Sequence, residues 1–407
     1  MLPRLDIEFP IKRQIQYWCG KPYVANEDCR LKIEECKIQD SSIEDRRLKI
    51  EECRIQGEYL VNHARTGIVM ALRAALPNGG RVGVVAYNCH TVANAVVNAE
   101  CTPVFVDVTE ELRIDVESVP RDLDAIVVTN LFGIRNDVEA IRKRCPGAVV
   151  IVDNAHGYGL PVEGDFTVYS INQGKFPALG EGGILIVSQK LPTIDQKLFE
   201  GTKTQINTVP EINKKNYSKN TKNISAITEA LDKMYAELPG YGFVGQVKLF
   251  VQMWVKAVAY SKLCYWFVRK LKDRRLKELK SESIKEKVVM KQMAPGVRRL
   301  YKAWLPTAEQ EIAKQRQNAE QISNLQSAIS NDQFLIGSNA FMAIIRTNDV
   351  AAAKADFAKR GIETETHFAR CIDWATEFGY KAGSCPTAER ITKQLLMIPT
   401  YSKSKKI

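Results

Sequence analysis

Residues 148–188 read AVVIVDNAHGYGLPVEGDFTVYSINQGKFPALGEGGILIVS. Three short apolar runs stand out in this stretch: AVVIVD, FTVYSI and GILIVS. Each has strand length, is rich in β-branched residues and is bounded by Gly, Pro, Asn or Asp. The runs are nearly continuous rather than alternating, which a strand needs when both of its faces are buried. Working outward toward the N-terminus, RVGVVAYNC (81–89), PVFVDV (103–108) and AIVVTNLFG (125–133) repeat the pattern. Helical runs fall between them: ARTGIVMALRAAL (64–76) and TVANAVVNAE (91–100). Strands alternating with helices predict an α/β fold on a mostly parallel central sheet.

The same stretch carries the chemistry. Asp153 falls at the C-terminal end of a predicted strand, where ligands approach an open α/β sheet. A carboxylate there can pair with a protonated pyridine nitrogen and keep such a ring electron-withdrawing. Ser170 and Lys175 follow the next strand, a hydroxyl able to bind phosphate and then an amine able to form an imine. The glycine-rich EGG at 181–183 lets the backbone turn tightly nearby. Upstream, Thr66 and Gly67 open a predicted helix, and a hydroxyl with free N–H groups at a helix N-terminus suits a phosphate. Taken singly, each residue has a plainer explanation: Asp as a turn residue, Lys as a solvated charge, Thr-Gly as a cap. Their order around one sheet edge is what selects the chemical reading.

At 407 residues the chain can bury a full core, and the domain-size rule suggests two or three domains. Hydrophobic residues at 45% and charged residues at 26% are ordinary for a globular protein and exclude disordered or collagen-like classes. The ten cysteines form no CxxC pair and have no histidine at metal-ligand spacing, which fits a reduced, metal-free thiol set. MLPRLDIEFPIKRQ has no apolar core of a secretory leader, and no run of about 18 uncharged apolar residues appears, so a cytoplasmic location is expected. The net charge of +11 is uneven. Arg269–Lys291 (RKLKDRRLKELKSESIKEKVVMK) holds ten Lys/Arg against four Asp/Glu. This run has no interleaved aromatics and the chain shows no recognition motif, so no nucleic-acid partner is expected.

The succession RTGIVMAL, AYNCHTVANAVVNAECTPVFVDV, LRID, NLFG, VDNAHGYG, GDFTVYSINQGK, GEGG, IAKQRQNAEQ, GIETETHF and AERITKQLLMIPTYS resembles the DegT/DnrJ/StrS-type sugar aminotransferases. These are fold type I enzymes dependent on pyridoxal phosphate (PLP). The resemblance covers about Tyr59 to Ser188 and Thr307 to Ser402. It implies PLP as cofactor, Lys175 as the Schiff-base lysine and Asp153 as partner of the pyridine nitrogen. It places His156 near the ring hydroxyl, Ser170, Thr66 and Gly67 at the phosphate, and His367 near the substrate. Where members often stack an aromatic on the ring, this chain has Cys89 followed by His90, so either could cover that face. The arginine expected after GIET is Glu365 here. The implied reaction moves an amino group, from glutamate, to a nucleotide-linked keto-sugar for glycan synthesis, in a homodimer. Two alternatives accompany it: a non-catalytic or regulatory relative, and a PLP-dependent sugar dehydratase, in which histidine replaces the lysine found here at 175.

Four segments follow: an N-terminal piece, 1–58, with LKIEECKIQ at 31–39 repeated as LKIEECRIQ at 48–56; a PLP-binding large domain, 59–198; a linker with a helical basic insert, 199–306; and a smaller α+β domain, 307–407. The duplication reads as helical or hairpin-like. In the small domain a helix is expected at DVAAAKADFAKRG and a final helix-like run at TAERITKQLLM. The insert contains GYGFVGQVKLFVQMWVKAVAYSKLCYWFVR (240–269), apolar around most of its circumference. Such a helix must bury its surface, either against a membrane interface through 240–291, held by aromatics and the basic run, or within a core or dimer contact.

Overall fold

The computed structural model describes residues 55–188, 224–259, 284–326 and 333–400, except 361, 363 and 367. Strand β1 spans Ile55–Val61, helix α1 Ala64–Ala75, β2 Arg81–Val85, α2 His90–Asn98 and β3 Thr102–Val106. Strand β4 (Ala125–Thr129), α3 (Val138–Arg144), β5 (Val149–Asn154), β6 (Phe166–Ser170) and β7 (Gly183–Ser188) complete the large sheet. Beyond it come α4 (Ile224–Glu237), α5 (Phe243–Ala259), α6 (Pro295–Trp304) and α7 (Ala308–Gln326). The small domain adds β8 (Gln333–Ile336), β9 (Met342–Arg346), α8 (Val350–Lys359), α9 (Cys371–Glu377), α10 (Pro386–Ile391) and β10 (Leu395–Pro399).

Seven strands form one sheet in the order β1-β7-β6-β5-β4-β2-β3, and three form an antiparallel sheet in the order β10-β9-β8. β3, β2, β4, β5 and β6 run parallel; β7 pairs antiparallel with β6, and β1 pairs antiparallel with β7, so β7 alone is reversed. The α/β fold with a mostly parallel sheet and a small second sheet is therefore the one expected. Side chains alternate across the sheet with a period of two. Ala125, Val127, Ile151 and Val168 face α1, whose Ile68, Val69 and Leu72 are buried against them. Ile126, Val128, Val150 and Val152 face the other way, toward Ile141 of α3 and Val297, Leu300 and Trp304 of α6. Both faces are thus covered, which is why the strands could be apolar throughout.

β1 begins at Ile55, inside the second copy of the duplication; the earlier repeat residues lie outside the described ones. The returning insert lies along β1: Met293 donates its N–H to the Leu60 carbonyl at 2.8 Å, and Asn62 N–H reaches the Lys291 carbonyl at 3.0 Å. This segment covers an edge that would otherwise present unpaired backbone groups. The expected C-terminal helix is shorter than the sequence suggests. It stops at Ile391, and Leu395–Pro399 forms a strand paired antiparallel with β9. Leu396 and Ile398 bury with Ala343, Ile345 and Phe357, so tertiary packing overrides a locally helical run. The linker at 199–223 and the basic residues 260–283 lie outside the described residues.

Candidate active site

The parallel strand order reverses between β2 and β4, so the crevice beyond their C-terminal ends is the expected ligand site. Asn88, just past β2, bridges that crevice by donating to Thr129 Oγ1 at the end of β4 (2.9 Å). Asp153, at the end of the neighbouring β5, is only 3% exposed. Its Oδ1 accepts the Ala155 N–H at 3.0 Å and its Oδ2 accepts the Thr129 hydroxyl at 3.4 Å. Burial raises the Asp153 pKa, opposed by the Ala155 N–H, the charge of Lys175 and the Thr129 hydroxyl.

Lys175 leaves β6 by the short loop Ile171–Gly174, in which Gly174 takes φ 80°, a conformation that favours glycine. Its Nζ lies 2.5 Å from His156 Nε2. The other ring nitrogen, Nδ1, accepts the Phe132 N–H at 3.3 Å. A neutral His156 therefore carries its proton on Nε2 and presents it to the lysine amine. Burial lowers the Lys175 pKa, while Cys89 and Asp153 act in the opposite sense.

Aromatic rings frame this contact. His156 stacks on Phe132, with centroids 5.4 Å apart and planes 16° apart, and on Phe368 from the small domain at 6.0 Å and 20°. Both phenylalanines sit in the left-handed backbone region, at φ 54° and 56°. That conformation is costly for a bulky residue and persists only where the surroundings impose it. NLFG and THF hold these residues in the sequence, but nothing local in either marks the ring as part of the site.

The phosphate end is built from the N-terminus of α1. Its first turn contains no acidic residue, and Ala64 and Arg65 begin the helix after the cap His63. Ser170 is 3% exposed at the end of β6, its hydroxyl oxygen accepting from Asn172 N–H at 3.4 Å. Asn172 ties the two pieces together: its side-chain amide meets His63 Nδ1 at 2.8 Å and its carbonyl accepts Gly182 N–H at 2.6 Å. His63 Nε2 in turn lies 3.7 Å from Glu181, which also accepts the Tyr241 hydroxyl. Residue spacing pointed to none of His63, Asn172, Glu181 and Tyr241.

The remaining expected residues fall as follows. Thr66 is fully buried and donates to Asn62 Oδ1 at 2.8 Å, so the backbone of this turn, rather than that hydroxyl, is left for an anion. Gly67 allows α1 to approach the sheet: an added Cβ would lie 3.1 Å from Val168 Cγ1 and 3.2 Å from Leu185 Cβ. Cys89 caps α2 and receives a hydrogen bond from Thr91 Oγ1 at 3.1 Å, and its backbone N–H donates to Asn88 Oδ1 at 2.7 Å. His90 turns toward the small domain, edge-on to Trp374 at 4.9 Å, and burial lowers its pKa. His367 lies outside the described residues. Among the described residues no group of three or more His, Cys, Asp or Glu could hold a metal.

Lys175 thus meets His156, Asp153 is linked through Thr129 and Asn88 to the Cys89 N–H, and Asn172 joins Ser170 and the α1 N-terminus to the Lys175 loop. Residues 59–200 match the model of the DegT/DnrJ/EryC1/StrS aminotransferase family. This stretch is similar to that family. The family's cofactor is PLP, and the donor set fits it: a buried carboxylate for the ring nitrogen, a desolvated lysine for the aldehyde, and a hydroxyl with helix N–H groups for the phosphate. Solved structures share the fold. The sugar aminotransferase CalS13 from Micromonospora echinospora matches at a TM-score of 0.62 and 13% identity, over 100% of this chain and 96% of that one. The putative sugar aminotransferase Spr1654 from Streptococcus pneumoniae, in its PLP form, gives 0.59 and 15%, over 94% and 93%. Helicobacter pylori PseC, an aminotransferase involved in pseudoaminic acid biosynthesis, gives 0.59 and 14%, over 95% and 94%.

Proposed function

We propose that this PLP-dependent transaminase moves an amino group from glutamate to a keto-sugar carried on a nucleotide, for glycan biosynthesis. The observation that carries the reading is the 2.5 Å contact between Lys175 Nζ and His156 Nε2 beside a buried Asp153. The chemistry PLP supplies is an aldehyde that exchanges nitrogen and a ring that withdraws electrons. Asp153 would hold the ring nitrogen, with the Ala155 N–H and the charge of Lys175 favouring its ionised form. Lys175 is the amine that would move a proton between carbons of the substrate and cofactor; burial lowers its pKa and so weakens its hold on a proton. His156 holds the lysine amine and would lie near the ring hydroxyl, while Phe132 and Phe368 flank its ring. Ser170 and the Ala64 and Arg65 N–H groups anchor the phosphate.

The sugar assignment is supported by the family and by the named neighbours that are sugar aminotransferases. The same resemblance supports a homodimer as the working form. Lysine at 175 stands against the dehydratase alternative, and the assembled donor set stands against a non-catalytic relative.

The experiment loads the chain with PLP, reduces it with borohydride and maps the label by mass spectrometry. The expected result is a single modified peptide containing Lys175, with no label in Lys175→Ala. The enzyme is then converted to its amine form with glutamate and offered 3- and 4-keto nucleotide sugars. Recovery of the original absorbance with one of them identifies the acceptor. Labelling elsewhere than Lys175 would sink the catalytic reading, and failure with every keto-sugar would sink the substrate class alone.

A further inference from the structure

Helix α5 (Phe243–Ala259) carries two apolar faces. The inner one holds Leu249 and Met253, both buried, and Met253 packs on the catalytic loop so closely that a Cβ on Gly180 would lie 2.6 Å from its sulfur. The outer one holds Phe243 (74% exposed), Val244 (79%), Val251 (48%), Trp254 (47%), Val255 (51%) and Val258 (41%). At about 100° per residue these six positions fall within about 120° of arc, so they form one stripe. Among the described residues ten large hydrophobic side chains are this exposed, and six of them are on this helix. A concentration of that kind marks a contact surface rather than scattered exposure.

We propose that the outer face of α5 docks the enzyme on an anionic lipid bilayer, lying in the headgroup plane while its inner face braces the catalytic loop. The charge of the helix selects this occupant. Its sequence, FVGQVKLFVQMWVKAVA, has no carboxylate and two lysines, Lys248 and Lys256, both exposed. The sequence then continues to Arg269–Lys291, with ten Lys/Arg against four Asp/Glu. Aromatic and aliphatic side chains bordered by cations suit the interface of a negatively charged membrane. A second copy of the chain suits it poorly. A two-fold contact through this face would set each copy's Lys248 and Lys256 against their own images, with no acidic residue on the helix to pair them. The homodimer therefore uses other surfaces. The helix lies on the bilayer and does not cross it: no helix of the described residues is long and apolar enough to span a membrane.

The test uses the full PLP-loaded chain in co-sedimentation with vesicles of phosphatidylcholine alone or of equal parts phosphatidylcholine and phosphatidylglycerol. At low salt the chain is expected to bind the mixed vesicles and not the neutral ones, with tryptophan emission shifted to the blue. Val251→Glu with Trp254→Glu is expected to lower the apparent affinity by about tenfold or more while PLP absorbance is kept, since both positions are on the outer face. Val244→Trp is expected to strengthen binding. Absence of wild-type binding, or equal binding by the double variant, would overturn the proposal. Dissociation of a dimer by the double variant in analytical ultracentrifugation would give the face to a second copy and overturn it as well. None of these readouts depends on which sugar is the acceptor.

Discussion

Substituting Gly183 by alanine should loosen the phosphate end of the site more than any other single methyl in the glycine loop. Gly183 opens β7 and is paired on both sides, with Val61 of β1 and Ser170 of β6. A Cβ there would lie 2.3 Å from the His63 carbonyl carbon, 2.4 Å from Ala64 N and 2.5 Å from His63 O. Ordinary contact begins at about 3.5 Å, so roughly 1 Å must be opened. Every atom involved is backbone, on one side the middle of a sheet and on the other the first turn of α1, so no side chain can rotate away. Overpacking of this kind costs about 1–3 kcal/mol. The yielding element is the α1 N-terminus, whose cap His63 is held here by this contact and by Asn172. PLP affinity should fall by about tenfold or more, since 1.4 kcal/mol is a factor of ten. Gly182→Ala is the control: its Cβ would meet Ile171 Cγ1 at 2.6 Å and Met293 Cε at 3.0 Å, both of them side-chain atoms. It should retain PLP affinity. Urea unfolding of the apo chain and spectroscopic PLP titration measure the two effects. Equal midpoints and affinities for Gly183→Ala and wild type would refute the idea that β7 fixes the helix N-terminus.

Three further outcomes are expected. Burial lowers the Lys175 pKa, so the unfolded chain binds a proton that the folded chain does not, and apo stability rises with pH up to the ordinary lysine value of 10.5. Lys175→Met should then be more stable than wild type at neutral pH, the gap closing as pH approaches 10.5; a gap independent of pH would contradict the depressed pKa. Asn172→Ala strips partners from Gly182 N–H and His63 Nδ1 and should cost about 1–3 kcal/mol in urea unfolding, with no loss if the network is decorative. Arg142 pairs with Asp165 at 3.0 Å in a largely buried setting, so Arg142→Met should cost about 3 kcal/mol, and Arg142→Met with Asp165→Asn should cost less than the sum of the single changes.

The large sheet was legible because its strands are buried on both faces, and a run such as VVIVD has no other comfortable fate. Asp153 and Lys175 were legible for a related reason: strand ends in an open sheet converge, so spacing along the chain becomes proximity in space. The ring stack was not. Phe132 and Phe368 are 236 residues apart, and each needs a left-handed backbone that its own sequence does not favour. Phe132 reaches His156 from the end of β4, which pairs with β5, whereas Phe368 is brought there by the small domain. Strand β10 was hidden for the same kind of reason, because QLLMIP after a helical TAERI carries no break and becomes a strand through β9.

The insert shows how a pattern can be read correctly in outline and still leave its purpose open. An apolar stretch at 240–259 had to be buried in something, and periodicity could not say whether in protein or lipid. In the structure one side of the helix is buried in protein and the other is exposed. Met253 rests on Gly180, and Tyr241, just before the helix, donates to Glu181, which faces His63 at the cap of α1. A force on the outer face of α5 would therefore reach the glycine loop within one layer of side chains and the phosphate site within two. Lipid contact at Trp254 and Val251 should thus alter the affinity for PLP, whereas an insert that merely tethered the enzyme would leave that affinity unchanged. PLP titration with and without anionic vesicles separates the two.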